Sequence, residues 1–211
     1  MTRGKPAVWS TLLALPFIQA GVFLYLADTR YPNLLGAPIF VFGVFIFLGG
    51  VYVQYVGPVE PRFRKDEELV DTRHPTQRVA ISQIFLSVPF LIITVYLLVG
   101  TLVPYLYPTI TFLVGLYLFS SGLRTYWANT LTTYYVTDRR VIRSYRFISQ
   151  NRQEIPLDKI RGIQERKSAL EVLAGLGNIQ VASGPGGDAL TIVIRHIEDS
   201  NEFANELRNL I

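Results

Sequence analysis

Apolar runs of bilayer length alternate with short polar segments over the first three-fifths of the chain, and from about residue 129 the pattern changes to short, β-rich alternations. Val8 to Ala27 carries no charge over roughly the 20 residues a helix needs to cross a bilayer. Leu34–Val56, Val79–Val103 and Tyr105–Trp127 repeat the signal, so four spanning helices are predicted within residues 1–128. The turn around Arg30 and Pro32 is short enough to make the first two helices antiparallel neighbours. Gly36, Gly43 and Gly50 recur every seven residues in the second helix, which places them near one face where another helix can approach closely.

Leu131 to Arg146 is the first stretch that does not belong in lipid. β-branched and aromatic residues crowd both sides of Thr137, Asp138 and Arg139, which predicts a strand, a tight turn and a second strand. Phe147–Arg152 reads as a polar connection and Gln153–Leu157 as a short strand whose Pro156 belongs at an edge or bulge. Ile160–Arg166 reads as a further strand, Ala169–Leu173 as a turn of helix, and Ile179–Ala182 as another strand. Gly184–Asp188 is a hairpin loop, because its glycines lack the Lys-Ser or Lys-Thr of a phosphate-binding loop and open no helix. Leu190, Ile192 and Ile194 form the inner face of the last strand by period two. Asp199 with Glu202 suggests a capping box. Phe203, Leu207, Leu210 and Ile211 then give one face of a terminal amphipathic helix that covers the sheet.

Charge sets the orientation. Arg62, Arg64, Lys65, Arg73 and Arg78 fill the segment 58–78, whereas the loop around Pro104 has no Lys or Arg, so both termini and the head are expected in the cytoplasm. A net charge of +4 spread beside apolar runs points to membrane topology rather than nucleic acid. With no cysteine and two separated histidines, neither a thiolate nor a histidine metal centre is expected, and no cofactor is implied. His74, before a proline, reads as a surface turn. No ionisable residue lies deep in any span, which argues against a proton relay or ion path, and Gln19, Gln54 and Gln83 read as hydrogen-bond partners between helices.

Four blocks in order, Tyr135–Ile142, Glu154–Ile160, Leu173–Ile179 and Ile197–Phe203, resemble the bacterial pleckstrin-homology-like (PH-like) domain family of the second type. The segment Asp66–Pro75 is similar to the acidic lead-in that such proteins place ahead of a helical pair. The resemblance implies an α+β fold: a four-helix transmembrane region followed by a PH-like antiparallel β-barrel or sandwich at 129–211, with a C-terminal capping helix. No span histidine is present to activate Ser120 or Ser121 and no carboxylates pair in an apolar membrane cleft, so recognition rather than catalysis is expected and no catalytic residue is assigned.

The expected function is a protein-interaction or oligomerisation module at the membrane surface, with a protein partner or a second copy as occupant. The alternative is a sensor of anionic lipid headgroups, with Arg139, Arg140, Arg143 and Arg146 of the opening hairpin as contacts. A small transporter subunit is disfavoured by the uncharged spans.

Overall fold

The computed structural model describes residues 5–26, 32–57, 60–168, 171–172, 175–184 and 190–210. Four of its helices are long and apolar enough to cross a membrane. The chain divides into two compact units, Met1–Pro58 with Arg146–Ile148, and Val59–Tyr145 with Ser149–Ile211.

In the first unit α1 (Pro6–Leu26) packs on α2 (Gly36–Tyr55). The glycine repeat of α2 is the contact. A Cβ added at Gly50 would lie 2.1 Å from the Ser10 Cβ, one at Gly43 2.7 Å from Ile18, and one at Gly36 2.4 Å from the Gly21 carbonyl oxygen. Small residues thus let two backbones meet where the hydrophobic effect gives no drive between helices in lipid. Phe17 and Phe42 add an edge-to-face pair at 5.1 Å, and the Ala7 N–H reaches Gln54 Oε1 at 3.5 Å. The Tyr52 hydroxyl donates to the Phe147 carbonyl at 2.8 Å, and their rings cross at 5.5 Å.

In the second unit α3 (Arg78–Gly100) and α4 (Leu106–Thr130) form an antiparallel pair. The Thr94 and Thr111 hydroxyls meet at 2.9 Å, and Thr125 donates to Gln83 Oε1 at 3.3 Å, so both polar contacts are made within the pair. α4 runs past Trp127 to Thr130 because the Thr130 and Thr132 hydroxyls donate to the carbonyls of Tyr126 and Ala128 and hold the last turn closed.

The β structure is two open antiparallel sheets and a helix, the PH-like arrangement that the sequence predicts. β1 (Leu69–Arg73), β2 (Thr132–Thr137), β3 (Arg140–Arg146) and β4 (Gln150–Pro156) lie in that order; β5 (Gly162–Arg166), β6 (Leu176–Ala182) and β7 (Thr191–Glu198) make the second sheet. β1 is a departure from the reading of 58–78 as a polar loop. It pairs with β2 in the register Thr72 to Tyr135 and Arg73 to Tyr134, with an irregularity between Leu69 and Asp71. β4 also begins three residues earlier than Gln153, in what reads as a connection.

Tyr134, Val136, Val141 and Ile155 of the first sheet form one core with Ile179, Val181, Ile192, Ile194 and Ile197 of the second. α5 (Ser200–Asn209) closes it with Phe203, Ala204 and Leu207. Two expectations about this end fail. Asp199 is left-handed, with φ 51°, and its side chain makes no capping bond, so no capping box forms. Leu210 is exposed, because the buried face of α5 is carried by Ala204 instead. β7 also continues beyond Arg195: His196 has φ 53°, which shifts the alternation by one residue and turns Ile197 inward after Ile194. The reading of 185–188 as a loop, and part of the expected helix at 169–173, lie outside the described residues.

Candidate functional site

The turn between β2 and β3 is organised by Thr137, whose buried Oγ1 accepts the N–H groups of Arg139 at 3.3 Å and Arg140 at 3.0 Å. Threonine does here what Asp or Ser does in many turns, satisfying backbone donors that the chain reversal leaves unpaired. Asp138 and Glu68 add a reciprocal pair: Asp138 N–H donates to the Glu68 carbonyl and Glu68 N–H to Asp138 Oδ1, each at 3.1 Å. The lead-in to β1 is thereby fastened to the hairpin tip.

Arg140 sits beneath this tip. Its Nε and Nη2 donate to the two carboxylate oxygens of Glu67, both at 2.7 Å, and Nη1 donates to Glu154 Oε2 at 2.5 Å. The Glu67 side chain has no solvent exposure, and that of Arg140 retains 14%. Glu67 also accepts the Arg64 N–H and the Thr137 hydroxyl, each at 2.9 Å. The guanidinium, above all, then the Arg64 amide and the Thr137 hydroxyl, hold the Glu67 carboxyl at about 2 against burial, which opposes ionisation. Glu67 in turn raises the affinity of Arg140 for its proton. Planar fork against planar carboxylate is a geometry lysine cannot reproduce.

The four arginines of the hairpin therefore occupy different environments. Arg139 is half-exposed and stands 3.6 Å from the Asp138 carboxylate. Arg140 is engaged with Glu67 and Glu154. Arg143 lies opposite Tyr134, with Nη1 3.5 Å from Gln153 Oε1. Arg146 ends β3 and is exposed.

A second polar cluster surrounds His196. Its N–H donates to Asn178 Oδ1 at 2.9 Å, its carbonyl accepts the Thr76 N–H at 2.8 Å, and its ring places Nδ1 3.3 Å from Asn129 Oδ1 and Nε2 3.5 Å from Glu171 Oε1. Burial, outweighing the pull of Glu171, keeps the imidazole below its ordinary range and hence neutral near pH 7. Asn129 Nδ2 donates to the Thr76 carbonyl at 2.9 Å, and Arg78 pairs with Glu198 at 2.9 Å. The end of α4 and the start of α3 are thus bonded to the second sheet. His74 is exposed just beyond β1, as its reading as a surface turn expects, and its Nδ1 lies 3.3 Å from the Thr133 hydroxyl.

Both clusters hold shape. Within each, the donors and acceptors face one another. Among the described residues no group of three or more His, Asp or Glu is placed to hold a metal ion. Sequence reading missed Glu67, Glu154 and the His196 cluster as partners; the one available signal was the acidic run Asp66-Glu67-Glu68 directly before an apolar pair.

No curated protein and no solved structure matches the chain. A family model described as the bacterial PH domain matches residues 81–211, which takes in α3 from its second turn, α4 and β2 onward and leaves Glu67 and β1 outside it. With well over half its length matched by that model, and with the two-sheet head and closing helix in place, the chain belongs to the bacterial PH domain family.

Proposed function

We propose that this is a non-enzymatic multi-pass membrane protein, with both termini in the cytoplasm, whose head binds a protein partner or another copy of itself at the membrane surface. The head comprises 129–211 together with β1. The observation that carries the reading is the edge of the first sheet. β1 is paired only with β2 among the described strands, and it presents Leu69 and Val70 about half-exposed, with the Thr72 N–H taken up by Asp71 Oδ1 at 2.7 Å. An edge with unpaired N–H and C=O groups and exposed apolar side chains is a template for strand addition. The opposite edge, β4, begins Gln150-Asn151-Arg152-Gln153 and offers no such apolar pair.

The test is a photoreactive side chain at Val70 in the full-length protein, irradiated in native membranes. Adducts of protein mass that survive high salt support the reading, whereas an unreacted chain speaks against it. The second reading, an anionic-headgroup sensor, is supported by the exposure of Arg139 and Arg146. It expects the same probe at Arg139 to capture lipid, with a yield that falls as salt rises.

A further inference from the structure

α1 carries a second contact surface on the side turned away from α2. Ser10, Ala14 and Gly21 are buried against α2, whereas Val8, Leu12, Leu15, Gln19, Val22 and Leu26 are all exposed. Their spacing of 4, 3, 4, 3 and 4 residues is the a and d pattern of a helix-packing seam. Gln19 is its one polar member and lies well inside the span, seven residues from the end of α1. The other two glutamines of the membrane region have bonds within their own helix pairs, Gln54 with Ala7 and Gln83 with Thr125. Gln19 has none among the described residues, and it lines a shallow groove together with Ile18, Val22, Phe23 and Leu26.

A primary amide held in hydrocarbon without a partner is costly, and lipid tails supply no partner. We infer that the occupant of this face is α1 of a second copy, with Gln19 bonded to Gln19 across a two-fold axis. An amide presents one acceptor and two donors, so it is its own electrostatic complement. Every copy enters the bilayer the same way, which puts the second amide at the same depth and makes the contact isologous. A single polar residue at an a position fixes the register and number of chains. Thr94 with Thr111 and Gln83 with Thr125 bond within the α3–α4 pair in the same way that the proposal pairs Gln19 with its own copy. The seam is separate from the head and stands whether or not the head binds a partner.

The chain has no cysteine, so single cysteines placed one at a time from Leu12 to Leu26 in the full-length protein report the seam directly. In native membranes under mild oxidation, disulfide dimers should peak at Leu12, Leu15, Val22 and Leu26 and fall at Ala14 and Gly21. Gln19→Leu, which preserves the apolar helix, should weaken self-association in nanodiscs or detergent by roughly three- to twentyfold, while Gln19→Asn retains it. Cross-linking without this period overturns the inference, as does a strictly monomeric protein. So does a dimer whose strength Gln19→Leu leaves unchanged, and that last result would leave the head as the dimer contact.

Discussion

Arg140 and Glu67 stand 73 residues apart in sequence and face each other through two parallel hydrogen bonds of 2.7 Å, with the carboxylate wholly buried. This pair ties the segment ahead of β1 to the hairpin that opens the family-matched head. The buried pair makes Arg140 a structural residue first, whatever its neighbours contact.

Arg140→Ala should therefore lower the stability of the full-length protein by about 3 kcal/mol, because it leaves a buried carboxylate unpaired. Arg139→Ala, on the half-exposed side of the same turn, should change it by no more than about 0.5 kcal/mol. Thermal unfolding of the two variants in detergent decides, and equal small effects would contradict the assignment of Arg140.

The same pair gives an acid limb to stability. The Glu67 carboxyl is depressed in the folded state from 4.5 to about 2, so its contribution is fully present above the unfolded value and is lost as pH falls through that window toward 2. Melting curves taken between about pH 6 and pH 3 should fall more steeply for the natural protein than for Glu67→Gln. Parallel curves would show that Glu67 is not held ionised by its surroundings.

Tyr134 joins the two sheets. Its buried hydroxyl donates to the Val193 carbonyl at 3.2 Å and accepts the Arg195 N–H at 3.1 Å. Tyr134→Phe keeps the ring and removes both bonds, and should cost about 1–3 kcal/mol because two backbone groups of β7 lose their partner. Denaturant unfolding at constant m-value checks this, and a neutral variant would show that water replaces the phenol.

Within the first unit, Gly50→Ala should destabilise the α1–α2 pair by about 1–3 kcal/mol, since the new Cβ meets Ser10 inside contact distance. Gly162→Ala, where nothing lies within 4 Å of the added atom, is the control and should be close to neutral. Limited proteolysis of the two variants separates them, with faster cleavage expected only for the first.

The helices and the opening hairpin were legible because each has a strong local period: uncharged runs, glycines seven apart, β-branched residues on both sides of a turn. β1 was not, because Leu69-Val70-Asp71-Thr72-Arg73 is an edge strand with neither face deeply buried, and such a strand carries no alternation to read. Glu67 was hidden for a related reason. An acid in a polar loop looks solvated until a partner 73 residues away covers it. The left-handed turns at His196 and Asp199 carry no glycine, so nothing in the sequence marked the slipped face of β7 or the missing cap. The hairpin arginines look alike in sequence, and only the fold separates the enclosed Arg140 from the exposed Arg139 and Arg146.

Amide hydrogen exchange of the full-length protein, compared between native membranes and nanodiscs of the same lipids, tests the docking role of the head most directly. The amides of Leu69–Arg73 should exchange slowly in native membranes and faster once partners are removed, while the turn at Asp138 and Arg139 exchanges alike in both. Unchanged exchange at β1, together with a turn that is slowed by anionic lipid alone, would contradict it and move the function to the headgroups.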